Sequence, residues 1–184
     1  QDFIINFTDK NVVVPGTTIP ILDHTNPLRA DVHLETYAWN YSFADYFVIL
    51  NYTITNNSSN TWDSVWVGNW SDLIVRNVNV TQETGTAFYN KGGGGFLDKY
   101  TSLYVYEVTG DDILFTQSYG AFQFLGINWR NKFLHPANAA SITGAGLPEP
   151  KVNGNFWDFR SASSQLPYPT DDVSRYYKLT NGLD

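Results

Sequence analysis

Residues 46–80 read YFVILNYTITNNSSNTWDSVWVGNWSDLIVRNVNV and decide the fold class. From Tyr46 to Thr55 polar and apolar side chains alternate. Val48, Leu50, Tyr52 and Ile54 share one face, and Asn51, Thr53 and Thr55 the other. A period of two marks a strand with one buried face. Asn56 to Asn60 is turn chemistry, because Asn and Ser side chains bond nearby backbone and Asn tolerates the left-handed region. Trp62 to Trp70 alternates again, with Trp62, Ser64, Trp66, Gly68 and Trp70 on one side and Asp63, Val65, Val67 and Asn69 on the other. Leu73 to Val80 reads as a further strand. The expectation is an antiparallel hairpin with a loop of about five residues between the first two strands, and an all-β class.

Moving outward, FIINF and Val12-Val13-Val14 read as one or two short strands, followed by a Pro/Gly/Thr segment through Pro15, Gly16, Pro20 and Pro27. Val32 to Trp39, Ser102 to Val108 and Ser118 to Ile127 are further strands, the last two separated by a turn at Gly110-Asp111-Asp112. Irregular loops are expected over 82–100 and 131–170, the stretch Asn131 to Pro150 being rich in Ala, Asn, Gly and Pro. The one good helix candidate lies near the end. Thr170 or Asp171 caps it, Val173, Tyr176 and Tyr177 share a face, and Asn181-Gly182 stops it. Many short strands with frequent turn signals predict a single domain over 1–184, an antiparallel, jelly-roll-like β-sandwich with one short C-terminal helix.

Composition narrows the function classes. Of 184 residues, 42% are hydrophobic and only 16% charged, enough apolar surface for a packed core. Aromatic residues reach 16% and favour pleated, half-buried surfaces. The net charge is −7 with only 11 Lys and Arg, scattered along the chain, so nucleic acid is not an expected partner. No apolar run is long enough for a membrane helix, and no membrane insertion is expected. With no cysteine there is no disulfide scaffold, thiolate nucleophile or Cys-ligated zinc. A chain that starts at Gln1 and has no Met is expected to be processed or part of a longer protein, as is one ending at Leu183-Asp184 just past a helix.

Extended aromatic platforms suit sugar rings, so Trp62, Trp66 and Trp70 are the candidate carbohydrate-binding residues. The competing reading, which Trp's preference for burial favours, puts these rings in the core. Gly92 to Gly95 lacks the Lys-Ser/Thr and helix of a phosphate cradle, and reads as a flexible surface loop. Asp111 and Asp112, with Glu107 and Gln117 nearby, are candidate calcium ligands, but their spacing matches no calcium loop and a solvated turn is favoured. Otherwise no cofactor is expected. Asp171 and Asp172 fit a first helical turn. His24, His33 and His135 show no metal or catalytic spacing. GxSxG is absent and no paired-carboxylate signature is visible, so an enzyme is not expected. Seven Asn-X-Ser/Thr triplets, at Asn6, Asn40, Asn51, Asn56, Asn57, Asn69 and Asn79, would mark surface loops of a secreted protein. An Asn- and Thr-rich β-protein also generates such triplets by chance.

Four strings resemble a domain found within large secreted and cell-surface proteins of bacteria that use type IX secretion. They are DYFVILNYTITNNSSNTWDSVWVGNWSDLIVRNVNV, TAFYNKGGGGFLDK, VTGDDILFTQSYGAFQFLG and PTDDVSRYYKL, within a span from Asp31 to Leu179. The resemblance implies export across the outer membrane, then surface attachment or release. It carries no catalytic motif. In that family the domain sits ahead of further β-sandwich modules and a C-terminal sorting domain, which this chain does not show. A GDxGF-type turn common in the family is here Gly110-Asp111-Asp112-Ile113-Leu114, a departure that weakens a calcium role. In such a host Asp63-Ser64-Val65 resembles an O-glycosylation site. That role requires Ser64 exposed, against its place between Trp62 and Trp66.

The leading expectation is a non-catalytic extracellular structural or adhesive module, or a subunit of a cell-surface or extracellular assembly such as a filament. Its partners would be other domains of the same polypeptide or neighbouring copies. The alternatives are a carbohydrate-binding module with glycan partners and an accessory domain of a secreted hydrolase.

Overall fold

The alternating stretch that runs to Thr55 forms a strand. The computed structural model describes residues 2–22, 24–73, 75, 92–107, 119–138, 144–147, 149–157 and 167–181. Among these residues it is mostly β, with three small antiparallel sheets and a short C-terminal helix. The chain divides into two compact units, Gln1–Val65 and Trp66–Asp184.

The first unit holds β1 (Asp2–Thr8), β2 (Ala30–Tyr37) and β3 (Ile49–Asn56), in the order β1-β2-β3. Val12–Val14 makes a small ribbon instead of a full strand. Val13 bridges Pro20, and Val14 and Ile19 are joined by a 2.9 Å backbone bond. Asn56–Asn60 turns as expected, with the Ser58 N–H donating to Asn56 Oδ1 at 2.8 Å and Asn56 Nδ2 to the Asn60 carbonyl at 2.8 Å.

The expected hairpin across that turn does not form, and β3 pairs with the earlier β2. Trp62–Trp70 has no strand pairing, so its alternation does not sort its side chains onto two faces. A strand needs a partner to satisfy its backbone; β2 takes one edge of β3, and no strand pairs with the other edge among the described residues. The expected strand Leu73 to Val80 lies largely outside the described residues.

In the second unit β4 (Gly92–Leu97), β5 (Ser102–Glu107) and β6 (Gly120–Gln123) form one sheet, and β7 (Ile127–Trp129) and β8 (Lys132–Leu134) another. The glycine run, expected as a loop, is therefore a paired strand. Its stability comes from rings that use the missing Cβ atoms. A Cβ at Gly93 would meet the Tyr106 ring at 2.7 Å, one at Gly95 the Tyr104 hydroxyl at 2.7 Å, and one at Gly94 the Phe156 ring at 2.6 Å. Tyr104 and Tyr106 stack at 6.0 Å. Aromatic rings laid over glycine backbone restore the packing that glycine lacks.

The stretch Asn131–Pro150, also expected as a loop, contributes β8 and a 3-10 turn at Pro136–Asn138. Arg130 (φ 49°) and Asn131 (φ 61°) are both left-handed, which a tight two-residue hairpin between β7 and β8 requires. Arg130 lies 5.8 Å from the Trp129 ring centre.

Helix α1 (Asp172–Asn181) forms where its caps predict. The Ser174 N–H donates to Asp171 Oδ1 at 2.8 Å, and the Asp171 N–H to Ser174 Oγ at 3.2 Å, a reciprocal N-cap. At the other end Asn153 Nδ2 donates to the Leu179 carbonyl at 2.9 Å and Asn155 Nδ2 to the Lys178 carbonyl at 2.6 Å, satisfying groups that a helix end leaves open. The expected face of Val173, Tyr176 and Tyr177 is exposed, while Lys178, Leu179 and Thr180 are half-buried.

Gly94→Ala should destabilise the protein by about 1–3 kcal/mol through overpacking against Phe156. Gly144→Ala, with open space around it, should stay within about 0.5 kcal/mol of the parent. Urea unfolding of the two variants checks this. Equal midpoints would refute the ring-over-glycine account.

Candidate functional site

The register of β1-β2-β3 sorts the first unit's side chains onto two faces. On one, the cross-strand rows are Phe3–Thr36–Leu50, Ile5–Leu34–Tyr52 and Phe7–Val32–Ile54. None of these nine side chains is charged. Phe3 is 61% exposed and Phe7 50%.

On the other face the rows are Ile4–Glu35–Asn51, Asn6–His33–Thr53 and Thr8–Asp31–Thr55, with Tyr37 beside Ile49 at the end. These side chains are tied together. Tyr37 OH donates to Glu35 Oε2 at 2.8 Å and Asn51 Nδ2 to the same oxygen at 3.0 Å. His33 Nδ1 lies 2.7 Å from Asn6 Oδ1. Lys10 Nζ sits 2.9 Å from Asp31 Oδ2, which also accepts from Asn57. The Tyr37 hydroxyl, then Asn51, hold Glu35 below its usual carboxylate range, and Lys10, then Thr8, do the same for Asp31. Three Asn-X-Ser/Thr triplets thus begin on strands rather than loops, at Asn6 in β1 and at Asn51 and Asn56 in β3.

Past Tyr37 the β2–β3 connection is dense in rings. Trp39 stacks on Tyr37 at 6.4 Å and 19° and meets Phe47 at 6.0 Å. Tyr41 and Phe43 stack at 5.5 Å and 4°, and Tyr46 meets Phe47 edge-on at 5.4 Å. Ala44 is 3% exposed and anchors this loop, its N–H donating to the Tyr41 carbonyl at 2.7 Å.

The three tryptophans singled out by the sequence are not brought onto one strand face. Trp62 belongs to the first unit and Trp66 and Trp70 to the second. Trp62 and Trp66 are half-buried, and Trp70 is 58% exposed. Ser64 is exposed and left-handed at φ 55°, with its N–H donating to Asp63 Oδ1 at 2.9 Å, so no buried strand face encloses it. Asp111, Asp112 and Gln117 lie outside the described residues, and Glu107 closes β5. Among the described residues no three His, Asp or Glu side chains gather as a metal-holding group.

Thr101 and His135 are a pairing the sequence did not reveal. Thr101 is buried yet left-handed at φ 48°, an uncommon conformation for a β-branched residue. Its N–H donates to the Asp98 carbonyl at 3.1 Å, and its own carbonyl accepts from the Phe124 N–H at 3.0 Å. The Ala137 N–H donates to His135 Nδ1 at 2.9 Å, which assigns the ring proton to Nε2. Nε2–H then donates to Thr101 Oγ1 at 3.3 Å, and the Thr101 hydroxyl donates to the Tyr100 carbonyl (2.7 Å) or the Phe124 carbonyl (3.1 Å). In that tautomer the imidazole cannot accept the Thr101 proton, so the pair locks a turn rather than activating a nucleophile. Beside it lies an open cavity of about 420 Å³ lined by Phe96, Asp98, Thr101, Pro136, Glu149, Pro150, Lys151 and Val152.

No protein-family model, curated protein or solved structure matches this chain.

Depressed carboxylate pKa values set the sign of the pH dependence. Asp31 and Glu35 bind protons less readily folded than at their usual values of 3.8 and 4.5, so their contribution is present above pH 4.5 and lost as pH falls through the folded values. Urea midpoints should therefore drop as pH falls from 5 towards 3, with a shallower drop in Glu35→Gln. An identical profile for that variant would contradict the role of the Tyr37–Glu35–Asn51 bonds.

Proposed function

We propose that the chain is a non-catalytic structural or adhesive module of an extracellular or cell-surface assembly. The observation that carries this reading is the uncharged face of β1-β2-β3, with Phe3 and Phe7 at half exposure or more. Contiguous exposed apolar patches of this kind mark interaction sites. Six large side chains on the face, Phe3, Ile5, Phe7, Leu50, Tyr52 and Ile54, are each exposed by a third to two thirds. At about 200 Å² apiece and roughly half exposed they offer about 600 Å² per copy, so two such faces stacked would bury about 1,200 Å², the lower end of a specific interface. The net charge of −7 opposes association of two copies over long range, but salt screens that repulsion and no charged side chain lies on the face itself. The partner is a neighbouring copy, or a neighbouring domain with a matching face.

The finer architecture belongs to the same proposal. A three-stranded sheet apolar on one side is half of a sandwich, and the apolar sheet of the neighbouring copy or domain, about 10 Å away, completes it. A jelly-roll-like sandwich is the form we favour. Export by the type IX route, with an extracellular or surface location, rests on the resemblance of the four strings. O-glycosylation at Ser64 stays part of that reading and is supported by the exposure of Ser64. Glycan binding is the second reading. It is favoured by the exposed rings, with Trp70 at 58%, although the grouping of Trp62, Trp66 and Trp70 has lost its strand basis.

Light scattering across a concentration series tests the leading reading. The parent should self-associate, Ile5→Lys should weaken association at least about tenfold, and Thr53→Lys on the polar face should not. A strictly monomeric parent, or equal effects of the two lysines, would overturn it.

A further inference from the structure

Six aromatic rings fall within the eleven residues from Tyr37 to Phe47, and Tyr37, with Trp39 stacked on it, closes the polar face of the first sheet. Phe43 is 72% exposed and Trp39 42%, on a loop that Ala44 pins in place. Exposed rings on an anchored loop offer a preformed surface, so little ordering cost attends binding there.

Next to the rings stand groups of a different kind. Glu35 and Asn51 lie one row along from Tyr37, and His33 and Asn6 one row further. A carboxylate has about four acceptor sites. The bonds from Tyr37 and Asn51 both fall on Glu35 Oε2, and Oε1 has only His33 Nε2 at 3.5 Å, so acceptor sites remain for a ligand hydroxyl. Flat rings beside a carboxylate and an amide match the two kinds of surface on a sugar, its C–H face and its rim of hydroxyls. From Glu35 to Trp39 the extended chain covers about 13 Å, room for two or three sugar units.

We propose that the Tyr37–Trp39 stack, with Glu35 and Asn51 beside it, binds a neutral oligosaccharide. A sugar ring stacks on Trp39, and its hydroxyls donate to Glu35 and accept from Asn51. Neutral ligands are specified by charge. Asp31 and Glu35 are both held ionised by their neighbours. Lys10 is engaged by Asp31, and the chain carries −7 overall. Acidic glycans and phosphates therefore meet repulsion here. The site is independent of the assembly reading, since it uses the opposite face of the sheet and needs only one copy.

The test uses the full chain and a panel of neutral hexasaccharides built from glucose, xylose, mannose or N-acetylglucosamine, followed by calorimetry and tryptophan fluorescence. At least one should bind with Kd at or below about 1 mM. Trp39→Ala should weaken it about tenfold or more, Glu35→Gln should weaken it less, and Trp70→Ala should leave it unchanged. NMR shifts of the unmodified chain should cluster at residues 33–47, a readout that survives if Trp39→Ala fails to fold. Failure of the whole panel to bind would overturn the proposal. So would binding unaffected by Trp39→Ala, shifts elsewhere, equal binding of a hexagalacturonate, or a Trp39→Ala effect on self-association alone.

Discussion

The pairing of β2 with both β1 and β3 is the constraint on which the first unit depends. Once Ile5 stands opposite Leu34 and Leu34 opposite Tyr52, every side chain in three strands is committed to one face or the other. A slip of one residue would carry Glu35, His33 and Asp31 onto the apolar side. The bonds from Tyr37 and Asn51 to Glu35, and from Lys10 to Asp31, hold on the polar face alone and so reinforce that register. What results is a two-faced sheet. One face is suited to another apolar surface, and the other ends in a group of rings.

The second unit is held by a different device. There the backbone of β4 is covered by rings from Tyr104, Tyr106 and Phe156, and α1 is fastened by two asparagine amides at its last carbonyls. Thr101, in a strained backbone conformation, is locked by His135 and two carbonyls. Each device commits side-chain polarity or ring area to backbone groups.

How much of this was legible depended on how local the cause was. The period of two in Val48, Leu50, Tyr52 and Ile54 marks β3, and Asp171 with Asn181-Gly182 bounds α1, because these signals act within a few residues. The partner of β3 is not local. Proximity favours the next segment, yet β2 had the matching face, and Trp62–Trp70 was left without a strand. The glycine run misleads for the same reason, since Tyr104, Tyr106 and Phe156 lie 9 to 62 positions away from Gly94 and Gly95. The β7–β8 turn was missed because Arg130-Asn131 is a rare substitute for the glycine that such turns favour. For the site, tryptophan alternation drew attention to Trp62, Trp66 and Trp70. The ring density from Tyr37 to Phe47 was the stronger signal, and it needed the fold to show Glu35 and Asn51 beside it.

Because the chain contains no cysteine, single introduced thiols report on each face cleanly. The most direct measurement is the maleimide labelling rate of Ile5→Cys and Thr53→Cys as protein concentration rises. The two-faced account predicts that labelling slows at position 5, where a neighbouring copy covers the thiol, and stays fast at position 53. Equal rates at both positions, unchanged with concentration, would contradict it.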